Sequence, residues 1–408
     1  MKTSQSIGRM GVIMAFGFVS GLPFALSQGT LQAWLAQSGC DLKTIGWLTL
    51  TAVPYTLKPL WAPFLDRFVP PFGGRRRGWI LILQACLCGC LFMMSLQTPS
   101  QTLVALSLLA LLLAFLSASN DVVIDAYRTD LLSSTERGVG SNFTQLGYRV
   151  AMMVSGALVL ILSKPLGWGG AYQVMALVMA ATMLVTWWSV EPAMPVQVPA
   201  TLRQAVVEPL KDFATRPQMG WLLLFITFYK VGDATALSLS TAFFIKGVGF
   251  SVAEVGAVAK VTSFAALIIG TIIGGFLFLR LGLFRALLWF GVLQSLTNLL
   301  YSALALVGHD IRMLVAAVGV DYTAGAMGSA AFGALLMALC DRRFSAAQFA
   351  LLTAIAAIPR SLVGPLAASL VEAIGWPSFF VVTFAIGLIP LGLLLKLKAD
   401  VRAYDVER

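Results

Sequence analysis

Long apolar runs recur along the whole 408-residue chain and leave few ways for it to fold. A helix rises 1.5 Å per residue, so a run of about 20 apolar residues can cross the hydrocarbon core of a bilayer. The composition agrees, because 59% of the residues are hydrophobic, only 11% are charged, and the mean hydropathy is +0.87. No soluble globular domain has such a composition. We therefore expect an integral membrane protein.

The apolar runs predict twelve transmembrane helices, which are called spans 1 to 12 in chain order. Backbone polar groups in lipid must be satisfied within the segment, so the predicted fold class is all-α. The predicted ranges are 10–35, 44–62, 79–97, 102–130, 140–163, 170–190, 218–246, 251–280, 283–305, 311–340, 345–372 and 376–398.

The apolar pattern is broken for longest at 191–217, a proline-rich stretch of mixed charge. This predicts a cytoplasmic linker between an N-terminal half, 1–190, and a C-terminal half, 218–408, each with six helices. The glycine-containing, arginine-rich loop that follows span 2 recurs in weaker form after span 8, which supports two related halves. Parallel repeats of this kind are an arrangement found in secondary transporters.

The net charge of +10 is explained by basic residues that are concentrated on one side of the membrane, so it does not require nucleic acid as a partner. Of the 28 lysines and arginines, 19 fall on the side that holds both termini, four fall on the opposite side and five lie inside spans. Positively charged loops stay in the cytoplasm, so both termini are predicted to be cytoplasmic.

One face of span 4 carries an unusual density of polar side chains. Four of them recur every three or four residues and therefore share one side of a helix: Ser117, Asp121, Asp125 and Arg128. A charge at the centre of a bilayer helix costs roughly 2.5–3.5 kcal/mol, so this face must meet protein or water. The pattern predicts part of a transport pathway; the alternative is a network that only packs the helix against a neighbour.

Other spans also contain polar residues at membrane depth. In span 1, Gly17 and Gly21 predict close helix contact. Gln28 and Gln32 of the same span could bind a substrate or join helices. Arg149 in span 5 needs an acidic partner, for which Asp121 and Asp125 are the nearest candidates. In span 7, Lys230 and Asp233 are three residues apart and could neutralise each other.

An acid, a base and a basic cluster follow span 2. They are Asp66, Arg67, Arg75, Arg76 and Arg77, with Gly73 and Gly74 between the two groups. This pattern resembles the cytoplasmic signature loop of the major facilitator superfamily. The resemblance implies that the acid meets a helix end and a neighbouring arginine. A simple positive anchor would explain the three consecutive arginines but not the acid–base pair.

Several stretches together resemble the AmpG muropeptide permeases, over nearly the whole chain. They are SASNDVVIDAYRTDLL (117–132), LGYR (146–149), YKVGDA (229–234), GVGF (247–250), LFRAL (283–287) and FSAAQFALL (344–352). The resemblance implies a permease of the bacterial inner membrane that imports anhydromuropeptides with protons, for wall recycling and β-lactamase induction. Some members of that family have two further C-terminal spans, and shorter relatives include siderophore permeases and acetyl-coenzyme A carriers, which are the alternatives.

Such a substrate combines sugar rings with a peptide that bears carboxylates, so its site should offer aromatic rings, amides and positive charge. A ferric siderophore would suit the same groups. The residues predicted to bind the substrate are Gln28, Gln32, Tyr127, Arg128, Gln145, Tyr148, Arg149, Tyr229, Lys230, Asp233, Lys260, Gln348 and Arg360.

Two carboxyl groups one helical turn apart titrate as a unit, which makes Asp121 and Asp125 the predicted proton-coupling pair. We expect Asp121 to take up the proton and Asp125 to stay paired with Arg128 or Arg149.

Enzymatic function is the competing class, for example a membrane-embedded acyltransferase. The only histidine, His309, is predicted in an external loop, so no histidine-based catalytic group lies in a span. The five cysteines do not form a disulfide or zinc pattern. We expect a transporter that acts as a monomer in the lipid bilayer, without metal or other cofactor.

Overall fold

The computed structural model describes residues 2–132, 137–192, 218–339 and 345–406. Within these ranges the chain is helical apart from short connections and contains no strand. The predicted linker 191–217 therefore lies outside the described residues from 193 onward.

Eight helical stretches in the described ranges are long and apolar enough to cross a bilayer. Three of them, 46, 56 and 46 residues long, exceed the roughly 20 residues of one crossing. Each is interrupted by a glycine with positive φ, at Gly167 (69°), Gly282 (75°) and Gly375 (75°), and so supplies two crossings. Span 2, a series of short helices, completes the count. The predicted twelve-helix, all-α architecture is confirmed.

The chain divides into two compact units. Unit 1 comprises Met1–Val196 with Ser251–Lys260, and unit 2 comprises Gln197–Phe250 with Val261–Arg408. The start of span 8 thus clusters with unit 1. A Cβ on Gly256 would lie 2.8 Å from the Leu160 Cβ and 2.9 Å from the Ala157 carbonyl oxygen, so only a glycine allows this packing.

The helices of unit 1 are Lys2–Ser27, Gly29–Gln37, Leu42–Leu48, Val53–Leu57, Ala62–Arg67, Arg75–Ser95, Pro99–Leu131, Arg137–Met153, Val159–Trp188 and Val252–Glu254. Tighter 3-10 turns occupy Thr49–Ala52 and Lys58–Leu60, and wider π turns occupy Val154–Leu158 and Val255–Lys260.

The helices of unit 2 are Met219–Phe228, Val231–Ser238, Ser240–Ala242, Val261–Val307, Ile311–Ala338, Ser345–Lys396 and Lys398–Val406, with a π turn at Phe243–Val248. Tyr229 and Phe332 stack in its apolar core, with ring centroids 5.2 Å apart.

Span 2 is broken where its sequence contains proline. Pro54, Pro59 and Pro63 each lack a backbone N–H and cannot continue the hydrogen-bond ladder of a helix. The result is alternating short α-helices and 3-10 turns between Leu42 and Arg67, with Lys58 in the second of those turns. The polar side chain of Lys58 is therefore attached to an irregular backbone and not to a regular helix.

Spans 1 and 5 cross at a contact between backbones. A Cβ on Gly17 would collide with the Thr144 carbonyl group, and one on Gly147 would collide with the Met14 carbonyl group. At Gly21 it would lie 2.6 Å from the Tyr148 carbonyl oxygen. Such close approach is typical of membrane helices with small residues four positions apart. The close contact predicted from Gly17 and Gly21 is present.

Replacing Gly17 with alanine should therefore destabilise the protein by about 1–3 kcal/mol, because the new methyl group overpacks this crossing. Thermal unfolding of the purified protein in detergent would measure the loss. The control is Gly11→Ala in the same helix, where no atom lies within 4 Å of a built Cβ. Equal unfolding midpoints for the two variants would contradict the backbone contact.

Candidate functional site

The polar stripe of span 4 runs from a buried end to an open end along the helix Pro99–Leu131. Ser117 is 1% exposed, whereas the Asp125 side chain is 52% exposed. Arg128 Nη2 lies 3.1 Å from Asp125 Oδ1, and Lys58 Nζ lies 4.0 Å from Asp125 Oδ2. The outer carboxylate is thus neutralised by two cations, and the inner carboxylate, Asp121, lies deeper.

Several polar atoms at the inner end of the stripe are buried without a hydrogen-bond partner among the described residues. They are the Tyr55 hydroxyl, the Ser117 hydroxyl, both amide atoms of Asn120 and Asp121 Oδ1. Leaving one such atom unpaired costs about 1–3 kcal/mol. Native proteins keep few of them, and each suggests a partner from outside the chain, such as water, a proton or a ligand.

Spans 1 and 5 bring further predicted residues to unit 1. The helix of span 1 is interrupted at Gln28, whose side-chain amide donates to the Thr51 hydroxyl over 2.7 Å. Gln145 is exposed, and Tyr148 is half-buried beside the Phe24 ring. Gln32 is buried.

The expected pairing of Arg149 with Asp121 or Asp125 is wrong. Among the described residues, the ion pairs of Asp125 are formed with Arg128 and Lys58, and none includes Arg149. The sequence argument missed Lys58 because it treated span 2 as a regular helix. The half-buried Arg149 guanidinium is consequently available to another anion.

Two tyrosines predicted to bind substrate instead serve the packing of their units. Tyr127 is 1% exposed, packs its ring 4.8 Å from that of Phe16, and donates its hydroxyl to the Val190 carbonyl over 2.7 Å. Tyr229 is 7% exposed and donates to the Leu287 carbonyl over 2.9 Å. Both rings are buried within their own units and do not offer a face to a substrate in this structure, which corrects both assignments.

Lys230 and Asp233, which the sequence suggested could neutralise each other, form no ion pair within 4.0 Å in the described part of the chain. The backbone leaves the helical path between Met219–Phe228 and Val231–Ser238, so the spacing of a continuous helix does not apply. The Lys230 ammonium group donates instead to Gln294 Oε1, over 2.7 Å, and to the Gly325 carbonyl, over 3.4 Å. Asp233 Oδ1 is buried without a hydrogen-bond partner among the described residues.

Asp321 joins the polar interior of unit 2, although the sequence analysis left it out of the predicted site. It is 1% exposed and contacts the hydroxyl groups of Thr297, at 2.6 Å, and Tyr301, at 3.1 Å. An isolated acid inside an apolar span was the signal that could have found it.

The remaining predicted residues are more dispersed. Lys260 ends the π turn Val255–Lys260 of unit 1. Arg360 is exposed on the helix Ser345–Lys396 of unit 2 and lies within electrostatic range of Lys230. The side chain of Gln348 lies outside the described part of the structure.

Comparison with known proteins decides the family. The profile of the Major Facilitator Superfamily matches residues 13–356. An anhydromuropeptide permease of Escherichia coli (strain K12) is 47% identical over 388 residues, covering 95% of this chain and 79% of the relative. A putative transporter, AmpG 4, of Rickettsia felis is 30% identical over 403 residues, covering 96% of this chain and 97% of the relative.

The chain belongs to the AmpG permease family of the Major Facilitator Superfamily. It is thus a transporter of the membrane-embedded facilitator type, as expected, and not an enzyme.

Solved facilitator structures have the same fold. The nucleoside transporter NupG matches with a TM-score of 0.71 at 13% identity, covering 95% of this chain and 98% of that one. A POT family transporter in complex with 5-aminolevulinic acid gives a TM-score of 0.74 at 12% identity and covers 96% of each chain. At such low identity these structures bear on the fold alone.

The signature loop of this facilitator can be described in its second part only, since the side chains of Asp66 and Arg67 lie outside the described ones. Arg76 Nε lies 2.8 Å from Asp130 Oδ2 in a pair whose side chains are 8% and 15% exposed. Arg77 donates to the carbonyl oxygens of Gly73 and Ser189, each over 3.0 Å. The basic cluster therefore joins the ends of three helices of unit 1 and is more than a positive anchor.

Glu191, which the sequence analysis did not single out, caps the helix that carries this cluster. Its two carboxylate oxygens each accept a backbone N–H, from Arg76 and from Arg77, over 2.8 Å. An anion suits this position because the first N–H groups of a helix have no partner within it. Gly74, with φ +85°, leaves room for the carboxylate, which a Cβ would approach within 2.6 Å.

Breaking the Arg76–Asp130 pair should destabilise unit 1. Because the pair is buried, Asp130→Leu alone should cost about 3–5 kcal/mol, since the buried guanidinium loses its carboxylate partner. The double variant Arg76→Met/Asp130→Leu should recover much of that loss, and thermal unfolding in detergent would measure both.

The matched control is Asp125→Asn in the same helix, whose half-exposed pair should contribute no more than about 1 kcal/mol. If Asp130→Leu were as harmless as this control, the joining role of the loop would be refuted.

Proposed function

We propose that this protein imports anhydromuropeptides across the bacterial inner membrane into the cytoplasm, driven by protons. The observation that carries the proposal is the 47% identity to the E. coli anhydromuropeptide permease, which extends over 95% of the chain. Identity at this level extends along nearly the whole chain and is not confined to one motif. The sorting of lysine and arginine by membrane side supports cytoplasmic termini.

The described polar groups suit a substrate made of sugars and a peptide. Arg149 in unit 1 and Arg360 in unit 2 offer positive charge to peptide carboxylates. Gln28 and Gln145 offer amides, and the half-buried Tyr148 offers a ring to a sugar face. We assign these residues to substrate binding. Gln32, Lys260 and Gln348 are assigned to it as well.

Proton coupling is assigned to the stripe of span 4. Asp125 lies beside two cationic partners, Arg128 and Lys58. Asp121 lies one turn deeper, and its Oδ1 has no hydrogen-bond partner among the described residues. The deeper carboxyl is therefore the one that gains most from taking up a proton, and the outer one provides a fixed negative charge.

Imported wall fragments would enter recycling and, in the cytoplasm, serve as signals for β-lactamase induction. A single chain would suffice, because both units of the facilitator fold are present in it. Siderophore and acetyl-coenzyme A transport are the alternative outcomes of the same assay.

Reconstituted in proteoliposomes, the protein should accumulate labelled anhydromuropeptide when the outer solution is more acidic, and only equilibrate it without a pH gradient. Unlabelled anhydromuropeptide should compete, whereas a ferric siderophore and acetyl-coenzyme A should not. Accumulation of either of these compounds in place of the muropeptide would refute the proposed substrate.

The variant Asp121→Asn should lose gradient-driven accumulation and keep substrate exchange between the two sides, because the amide cannot exchange a proton. Asp41→Asn is the control: Asp41 caps the helix Leu42–Leu48 through the Thr44 N–H, a role that asparagine also fills. Wild-type accumulation by Asp121→Asn would remove Asp121 from the coupling mechanism.

A further inference from the structure

Asp321 is a carboxyl group held at the middle of a membrane span by neutral partners. It lies ten residues into the helix Ile311–Ala338, and no lysine or arginine lies within 4.0 Å of it among the described residues. Its two oxygens contact the Thr297 and Tyr301 hydroxyl groups of span 9. Burying an ionised carboxylate without a paired cation is costly, and a neutral carboxyl avoids that cost.

The contacts of Thr297 decide between the two forms. Its Oγ1 lies 2.6 Å from Asp321 Oδ1 and also 2.6 Å from the Gln294 carbonyl oxygen. A hydroxyl group has one hydrogen to donate. The carbonyl can only accept, and an ionised carboxylate can also only accept, so the single hydrogen would then have to be shared between two acceptors at 2.6 Å.

Both contacts are satisfied when Asp321 itself carries a proton. Asp321 Oδ1 then donates to Thr297 Oγ1, Thr297 donates to the Gln294 carbonyl, and Tyr301 donates to Asp321 Oδ2. Each oxygen has a partner of the correct kind, and the site bears no charge.

The charged groups around Asp321 agree with a neutral carboxyl. Asp233 and Lys230 face it from span 7, and Tyr301 faces it from span 9. Tyr322 neighbours it on its own helix, and Arg360 of span 11 acts on Lys230. With Asp321 protonated, one other acid of this set, Asp233, faces one base, Lys230, from the same span. With Asp321 ionised, two acids, Asp233 and Asp321, face the half-buried Lys230, and the other nearby cation, Arg360, is exposed.

We propose that Asp321 is a second proton-binding site of the transporter, located in unit 2 and occupied in the state described here. On release, the proton passes from Asp321 Oδ1 to water, and the Thr297 hydroxyl turns from the Gln294 carbonyl to the carboxylate. Its part in transport rests on the proposed proton-driven import, whereas its protonation can be tested on the protein alone.

The variant Asp321→Asn keeps the neutral hydrogen-bond pattern, because its amide N–H can donate to Thr297 and its oxygen can accept from Tyr301. It should therefore fold and keep the substrate exchange of the wild type. Gradient-driven accumulation should be lost, since the site can no longer release a proton.

Infrared difference spectroscopy of wild-type protein against this variant, in near-neutral buffer, gives the independent readout. The wild type should show the C=O stretch of a protonated carboxylic acid that Asp321→Asn lacks. Asp310→Asn in the same helix is the control: Asp310 is an N-cap that accepts the Met313 N–H, and its loss should leave that band and the accumulation unchanged.

The proposal would be overturned if Asp321→Asn lacked the band of an ionised carboxylate and kept the band of the protonated acid. Undiminished accumulation by Asp321→Asn would also overturn it. If the wild type failed to exchange anhydromuropeptide, the proposed function would fall, and the infrared comparison would still decide the state of Asp321.

Discussion

Polar groups inside a hydrocarbon layer have no water to bond with, and this constraint governs most of the structure. Each must find a partner within the chain, admit one from outside or lose its charge. The three solutions occur side by side. Tyr127 and Tyr229 donate to backbone carbonyls, Asp121 keeps an oxygen without a partner among the described residues, and Asp321 has the contacts of a neutral acid.

The breaks in the helices follow from the same constraint. Lys58 lies in a 3-10 turn between prolines, Gln28 lies at an interruption of span 1, and Lys230 lies where span 7 leaves the helical path. In each case a polar side chain stands at an irregular backbone position. Regular helices place side chains at fixed angular intervals, so breaks allow polar groups to reach partners that a straight helix would not offer.

The fold could be predicted from the sequence because the hydrophobic requirement is local. Roughly twenty consecutive apolar residues carry the signal for one span. The positive-φ turns fall at glycines between predicted spans, as at Gly167 and Gly282. The polar stripe of span 4 was also readable, since helical periodicity alone puts Asp121 and Asp125 on one side.

Partners between helices were harder to predict, because they depend on how helices cross and where they break. Asp125 was expected to pair with Arg128 or Arg149; it pairs with Arg128, and its second partner is Lys58 from a broken span. Asp233 was matched with Lys230 by a spacing that the break at Lys230 invalidates. Sequence alone also could not separate the half-buried Tyr148 from Tyr127 and Tyr229, whose rings are buried and whose hydroxyls bond to backbone carbonyls.

The two carboxyl sites solve the problem of a buried negative charge differently. In unit 1 the more exposed Asp125 meets Arg128 and Lys58, and the adjacent Asp121 is the acid that must share those cations. In unit 2 the half-buried Lys230 bonds to Gln294 and Gly325, and the other nearby cation, Arg360, is exposed, so two ionised acids would leave an excess of negative charge in the interior. A proton is the smallest cation that can remove the excess, and it enters without displacing any side chain. This arrangement suits a transporter that must release its proton again. The neighbours of Asp321 are neutral hydroxyl groups, so among the described residues no permanent cation competes with the proton for the carboxylate.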